Sequence, residues 1–280
     1  MREVAFQTIV DKVSEALIDM NYRVDPKMLD AFQNAIMTEQ SPLGRSILKD
    51  LLVNSEIAGS GKAPICQDTG MVVAFVTYGQ EVKLSSGSIT DAINQGVEKA
   101  YVQGYLRKSV VKDPFNRINT GDNTPAVIHY DVVEGDELSI NIGAKGFGSE
   151  NMSKSKMLKP SDGLQGVFDF VLETVRLAGS NPCPPIVVGI GVGGTLDKAA
   201  QIAKKALFRP LGTNHLDSEL AEIEHRLLEA INALGIGPQG LGGTTTAIAV
   251  NIEVYPTHIA GLPVVVNLNC HASRHKKVIL

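Results

Sequence analysis

The sequence lacks the features that mark several classes of protein. It has no tryptophan, and its net charge is −4 over 280 residues. No run of more than two basic residues precedes the C-terminal tail, so binding of nucleic acid or of an anionic membrane has no electrostatic footprint. The apolar runs are far shorter than the ~20 residues of a membrane helix. The N-terminal segment is amphipathic and contains acidic residues, unlike a signal peptide. We therefore expect a cytoplasmic globular protein.

Cysteine is scarce, and its spacing excludes the commonest uses of that residue. An odd total of three does not fit a disulfide framework. Cys66, Cys183 and Cys270 are 117 and 87 residues apart, so no C-x-x-C pair indicates a zinc ribbon or a ferredoxin-type cluster. Two interpretations stay open at this point: three small buried apolar side chains, or three ligands that the fold brings together.

Hydrophobic periodicity predicts helices first and a mixture of strands and helices afterwards. Three helical patterns, over 4–20, 26–39 and 42–58, would form an N-terminal helical cap over residues 1–60. The later segments predict helices over 88–106, 163–179, 195–208 and 217–234, and strands over 71–77, 126–133, 137–143, 186–192, 247–254 and 263–269. We expect an α+β (mixed α/β) fold, in which the helical cap is followed by mixed β-sheets flanked by helices.

One pair of strands has a clear turn signal between them. Residues 134–136 read Glu-Gly-Asp and separate the strands predicted over 126–133 and 137–143. A short turn of this composition is typical of a β-hairpin. We therefore predict that these two strands pair directly with each other.

Polar residues accompany each cysteine. In PICQDTG (64–70), Cys66 is followed by Gln67, which could hydrogen-bond a ligand, and by Asp68, which could exchange a proton with one. Cys183 lies among three prolines, which restrict the backbone of its loop. Cys270 ends a predicted strand, and His258 opens the same segment 12 residues earlier. Each motif alone is also compatible with a structural turn.

A glycine pattern in the middle of the chain invites a different interpretation. Gly189, Gly191 and Gly194 match G-x-G-x-x-G between a predicted strand and a predicted helix, as in dinucleotide-binding proteins. However, the helix leads into another helix rather than into a strand that ends in Asp or Glu. We therefore expect these glycines to serve close helix–strand packing, and we keep a dinucleotide-dependent oxidoreductase as an alternative.

Taken together and in order, these motifs resemble those of one family. PICQDTG, NTGDNTPA, AKGFGSENMSK, NPCPPIVVGIGVGG, GIGPQGLGGTTTA and the Cys270 segment cover the chain from about residue 60 to its end. The set resembles the iron–sulfur hydro-lyases of the class I fumarase and tartrate dehydratase type. The resemblance implies one α-type catalytic domain over 1–280, with residues 61–280 as the cluster-binding core.

The resemblance also implies a cofactor and a set of site residues. Cys66, Cys183 and Cys270 would ligate a [4Fe-4S] cluster, and with three thiolates one iron stays open for substrate. Asp68 would be catalytic, and the residues implied to bind the dicarboxylate substrate are Gln67, Arg107, Gly146, Phe147, Gly148 and His258.

The implied reaction is reversible hydration of fumarate to L-malate, a step of the tricarboxylic acid cycle, with tartrate dehydratase or mesaconate hydratase as alternatives. The catalytic base and further cations would come from a β subunit, in an α2β2 assembly. Two other classes stay open. One is a zinc module that uses the cysteines with His258 or His271. The other is a scaffold subunit whose partner carries the chemistry.

Overall fold

The computed structural model describes all 280 residues, Met1–Leu280. Helices and strands alternate irregularly, so the predicted α+β fold is confirmed. In chain order the elements are β1 (Arg2–Val4), α1 (Phe6–Tyr22), α2 (Pro26–Thr38), α3 (Pro42–Gly59), β2 (Met71–Gly79), β3 (Val82–Leu84), α4 (Ile89–Gln103), β4 (Val127–Val133), β5 (Leu138–Lys145), α5 (Phe147–Glu150), β6 (Lys154–Leu158), α6 (Gly163–Ala178), β7 (Ile186–Gly193), α7 (Leu196–Ala206), α8 (Ser218–Asn232), β8 (Ala247–Tyr255), β9 (Leu262–Asn269) and β10 (His275–Ile279).

The chain divides into two compact units. The first unit consists of Met1–Asp25, Ser55–Phe147 and Arg274–Leu280, and the second of Pro26–Asn54 and Gly148–Ser273. The helices predicted within residues 1–60 are present, but the structure does not set them apart as a cap. α1 belongs to the first unit and α2 to the second, while α3 passes from the second unit to the first. None of the helices is long and apolar enough to cross a membrane.

The core of the first unit lies between two helices and a four-stranded sheet of order β10-β5-β2-β4. α1 buries Ile9, Val13 and Leu17 along one face and packs along α4. Gly96 of α4 permits this approach, since a Cβ there would lie 2.7 Å from the Val13 side chain. Both helices share one apolar core with β2 and β5, so the loops at the ends of these strands are attached to well-packed elements.

The predicted hairpin between β4 and β5 is wrong, because β2 lies between the two strands. β2 pairs in parallel with β4 and antiparallel with β5. Its apolar run is buried on both faces, and such a strand belongs in the interior of a sheet. The Glu-Gly-Asp segment instead carries the chain past the end of β2, where Glu81 N–H donates to Gly135 O at 2.9 Å and Gly79 N–H to Glu137 O at 2.7 Å.

The second unit is built on a four-stranded sheet of order β6-β9-β7-β8. β7 pairs in parallel with β8 and antiparallel with β9. One face of the sheet shares an apolar core with α6 and α8, to which β7 contributes Ile186, Val188 and Ile190. The opposite face packs against α7. Cys183 precedes β7 in the chain, and Cys270 follows β9.

The glycines of the G-x-G-x-x-G pattern serve helix packing, as predicted. A Cβ on Gly189 would lie 2.3 Å from Ala203 O of α7, and one on Gly191 would lie 2.1 Å from Ala199 O. Real Cβ atoms do not approach a carbonyl oxygen so closely, so α7 can rest on β7 only if both residues are glycine. The pattern is therefore explained without a dinucleotide.

Candidate active site

Cys66, Gln67 and Asp68 occupy the loop between α3 and β2 in the first unit. Cys66 is partly exposed and free of any disulfide, and Gln67 is exposed beside it, with Oε1 3.6 Å from the Cys66 Sγ. The loop is anchored at Ile65, whose N–H donates to Asn21 O at 2.8 Å. A thiol, an amide and a carboxylate are thus accessible on a loop whose start is held in place by a backbone hydrogen bond.

The carboxylate of Asp68 is fixed by two backbone donors. Its Oδ1 accepts from the Gly70 N–H at 3.0 Å, and its Oδ2 accepts from the Phe147 N–H at 2.8 Å. Gly70 is required here, because its φ is +79° and a Cβ would lie 2.8 Å from the backbone of Ala144 and Lys145. The structure thereby brings Asp68 together with Gly146 and Phe147, three residues that the sequence analysis assigns to the site. The Phe147 N–H is used to position Asp68.

Arg107 lies on a segment that is tied to the same loop. Its carbonyl oxygen accepts from Thr69 Oγ1 at 2.9 Å, while its side chain is exposed. Asn123, from the NTGDNTPA motif, fastens the segment: it accepts from the Ser109 N–H at 2.7 Å and donates to Gly70 O at 3.2 Å. Asn123 is fully buried and has a φ of +66°, a conformation that asparagine tolerates better than most residues. The motif therefore positions the arginine segment.

Tyr101 is a site residue that the sequence analysis missed. Its hydroxyl donates to Thr69 O at 2.6 Å and to Gly70 O at 3.1 Å. Burial, and then the nearby negative charge of Asp68, raises the pKa of Tyr101, although the positive charge of Arg274 opposes the shift. The phenol therefore stays neutral and acts as a permanent donor under the loop that carries Asp68. Its place on the buried face of α4 resembles that of any core aromatic, so no sequence signal marks it.

In the second unit, the loops of Cys183 and Cys270 are joined through His271. The Cys183 carbonyl accepts from the His271 backbone N–H at 3.3 Å and lies 3.0 Å from Nδ1 of its ring. A carbonyl oxygen only accepts, so a hydrogen bond at this contact uses an Nδ1–H of the ring. Cys183 is exposed and has a φ of +53°. The contacts of His271 therefore fix the Cys183 loop relative to the Cys270 loop.

Gln239, from the GIGPQGLGGTTTA motif, supports the Cys183 loop from a second side. Its backbone N–H donates to Pro184 O at 2.8 Å and its side-chain Nε2 to the same oxygen at 2.7 Å. The same Nε2 lies 3.2 Å from His271 Nδ1. The adjacent Gly240 has a φ of +76°, and a Cβ there would lie 2.3 Å from the Ser180 Cβ. The sequence predicts no role for Gln239, and it offers His271 only as a possible ligand of the alternative zinc module.

Two further predicted site residues belong to the second unit. Gly148 is exposed at the start of that unit and faces Asn181 of the Cys183 loop, since a Cβ on Gly148 would lie 3.4 Å from Asn181 O. His258 is exposed in a turn before β9. Its Nδ1 accepts from the Ala260 N–H at 3.2 Å, and its carbonyl accepts from the Gly261 N–H at 3.0 Å. The structure ties Gly148 to a cysteine loop, whereas the hydrogen bonds of His258 stay within its own turn.

The three thiols share the properties of ligands. None of the three cysteines forms a disulfide, Cys183 is exposed, and Cys66 and Cys270 are partly exposed, which contradicts the interpretation of three buried apolar side chains. The structure contains no group of three or more His, Cys, Asp or Glu side chains that could hold a metal ion. Accessible thiols on anchored loops are the donors that iron–sulfur clusters use, so the chemistry of the donor set fits a cluster.

Comparison with known proteins gives the family. The model of the family described as fumarate hydratase (Fumerase) matches residues 10–279. A Methanocaldococcus jannaschii protein named provisionally as L(+)-tartrate dehydratase subunit alpha is 44% identical over 272 residues, covering 95% of each chain. The L(+)-tartrate dehydratase subunit alpha of Escherichia coli K12 is 33% identical over 288 residues, covering 100% of this chain and 94% of its own. The chain therefore belongs to the fumarate hydratase family, and it is a hydro-lyase.

Proposed function

We propose that this chain is the α-type subunit of an iron–sulfur hydro-lyase that catalyses the reversible hydration of fumarate to L-malate. The observation that carries the proposal is the set of groups near the accessible Cys66 thiol. They are the Asp68 carboxylate, which accepts from two backbone N–H donors, the exposed amide of Gln67, and the Arg107 segment, which is hydrogen-bonded to the same loop. The family and the motif AKGFGSENMSK (144–154), which looks fumarase-like, support fumarate as the substrate. The catalytic domain is proposed to comprise the whole chain.

Cys66, Cys183 and Cys270 are proposed as the ligands of one [4Fe-4S] cluster. Three protein ligands leave one iron of a cubane without a thiolate. When bound, the cluster supplies a Lewis acid that stabilises the hydroxide leaving a 2-hydroxy acid. His271 and Gln239 set the direction of the Cys183 loop through its carbonyls, as outer groups around metal ligands commonly do.

The protein's own residues would handle the proton and the carboxylates. Asp68 is oriented by its two N–H donors, so one geometry is available for proton exchange at the substrate hydroxyl. Gln67, Arg107, Gly146, Gly148 and His258 are proposed as substrate contacts. Phe147 is proposed to act chiefly through Asp68, because its N–H is already used there.

A β subunit is proposed as the partner, in an α2β2 assembly. The names of the relatives quoted above designate alpha subunits, and the chain aligns with them over nearly its full length. No residue of this chain is proposed as the base that removes the carbon-bound proton. That base would come from the β subunit. The enzyme would function in the cytoplasm.

L(+)-Tartrate dehydration is the second candidate, because the relatives at 44% and 33% identity bear that name. The chemistry is the same loss of water from a 2-hydroxy dicarboxylate, so the site described above would serve either substrate. Mesaconate hydration is a third form of the reaction.

Anaerobic co-expression with the cognate β subunit tests the function. Fumarate, mesaconate and L(+)-tartrate are assayed side by side, for the complex and for the chain alone. We expect turnover of fumarate by the complex and almost none by the isolated chain. Turnover of tartrate alone would establish the second candidate. Full activity of the isolated chain would overturn the proposed partner.

A further inference from the structure

Arg274 is a buried cation that no part of the proposed mechanism uses. It is 5% exposed and belongs to the first unit. Its Nη1 donates to Asn21 Oδ1 at 3.0 Å. Asn21 is itself fully buried and donates to Leu17 O at 2.8 Å, within α1. The guanidinium is therefore held in one orientation from one side.

The other side of this guanidinium has no partner within the protein. Nε is buried and makes no hydrogen bond, Nη2 makes none, and the side chain forms no ion pair. Buried arginines are normally paired, since an uncompensated buried charge is strongly destabilising. Arg209 of the second unit shows the normal case: its guanidinium contacts Glu224 at 2.6 Å, Glu253 at 2.9 Å and Ile252 O at 2.7 Å.

The unused side of Arg274 has the geometry that a carboxylate requires. Nε–H and one N–H of Nη2 point in the same direction and form the side-on fork that binds both oxygens of a carboxylate. The bond to Asn21 occupies Nη1, which lies outside this fork. Asn21 thus fixes the fork without consuming it.

The fork lies beside groups that are proposed to meet the substrate. A side chain on Gly146 would begin 3.5 Å from Arg274 Nη2 and 3.2 Å from Asp68 Oδ2. The charges of Arg274 and Asp68 both act on the Tyr101 hydroxyl, in opposite senses. A side chain at position 146 would contact both groups, so glycine keeps the Asp68 carboxylate and the Arg274 guanidinium unobstructed.

We propose that Arg274 binds one carboxylate of the dicarboxylate substrate through Nε and Nη2. This inference rests on the proposed function and adds a cation, from the chain itself, to the exposed Arg107. The ligand class is a dianion with two carboxylates, because Arg107 and Arg274 then bind separate groups. Asn21 is the residue that positions the guanidinium.

The test measures binding of succinate, a dicarboxylate that cannot lose water, by anaerobic calorimetry on the holoenzyme complex. Arg274→Gln removes the charge, and we expect its Kd to rise about 30-fold or more. Arg274→Lys keeps the charge but loses the fork, and we expect a rise of about tenfold. If the glutamine variant does not fold, the succinate Kd of the lysine variant alone tests the inference. Iron content should equal that of the unmodified complex in each folded variant.

Arg209→Gln is the matched control, since it removes a largely buried arginine, 13% exposed, that is already paired within the protein. It should lower the melting temperature and leave the succinate Kd unchanged. If Arg274→Lys binds succinate within twofold of the unmodified enzyme, Arg274 is only structural and the inference is overturned. The proposed function fails separately: it requires turnover of fumarate by the unmodified complex, which the succinate titration does not measure.

Discussion

The two units contribute different chemistry, although each presents cysteine on loops at the ends of sheet strands. The first unit has one thiol, accompanied by charged groups: Asp68 with its two donors, the Arg107 segment and the buried Arg274. The second unit has two thiols, and their loops are joined through the side chains of His271 and Gln239. Under the proposed function, this difference would give the second unit two of the three cluster ligands, and the first unit the groups that handle protons and carboxylates.

The largest expected effect is the loss of any thiol. Replacement of Cys66, Cys183 or Cys270 by Ser should abolish turnover in the complex, because the cluster loses a ligand. Anaerobic iron and sulfide analysis of each variant, alongside its activity, is the measurement. The comparison between units predicts that Cys183→Ser and Cys270→Ser lower the iron and sulfide content to the same extent. A variant with unmodified turnover would remove that cysteine from the ligand set.

Asp68→Asn should separate proton transfer from cluster binding. We expect turnover to fall by about 10²–10⁴-fold, the usual contribution of a positioned acid or base, while iron and sulfide content stay unchanged. Asp217→Asn is the matched control, since Asp217 also accepts two backbone N–H bonds, at 2.8 and 3.2 Å, but only to cap α8. Loss of iron in the Asp68 variant would show that the first unit also stabilises the cluster directly.

His271→Phe should weaken cluster retention in the second unit. The substitution removes the ring nitrogen that lies 3.0 Å from the Cys183 carbonyl oxygen, and outer groups of this kind are commonly worth about 10–100-fold in metal affinity. The rate of iron loss to a chelator measures the effect. His225→Phe, at an exposed position on α8, is the control. Equal rates for both variants would contradict the support assigned to His271.

Glu39→Gln should affect stability and leave the chemistry unchanged. Burial opposes ionisation of Glu39, but hydrogen bonds from the N–H groups of Ser41, Thr244 and Thr245 outweigh it and lower the pKa to about 2. This carboxylate therefore stabilises the fold above its unfolded-state pKa near 4.5, and the contribution is lost as the pH falls towards 2. We expect the variant to lose roughly 2–3 kcal/mol at pH 7.

Urea titrations of the unmodified chain and of Glu39→Gln at several pH values measure this contribution. The difference between their free energies of unfolding should shrink between pH 4.5 and 2. A difference that is constant with pH would assign the effect to packing instead of charge.

Local periodicity predicted most of the elements correctly. The long apolar patterns of α1, α6, β2 and β9 are present close to the expected bounds, because their side chains pack on one face or in a sheet interior. β6 and β10 were missed, since KSKML and HKKVI are charged and each buries essentially one apolar side chain. The hairpin was mispredicted because turn residues do not report which strand inserts between their neighbours.

The candidate site was predictable only where its residues are neighbours in the sequence. Gln67 and Asp68 follow Cys66 directly, so a motif contains them. Tyr101 and Arg274 come from distant segments, and only the fold places them beside Asp68. Nothing in the sequence distinguishes the unpaired Arg274 from the paired Arg209, because pairing is a property of the folded chain.

The central claim, that three thiols hold one open cluster, is tested most directly by counting iron and acid-labile sulfide in the anaerobically purified chain. The account predicts about four iron and four sulfide per chain, and a marked loss of both when Cys183 is replaced by Ser. One zinc per chain without sulfide would contradict it and would favour a zinc module instead.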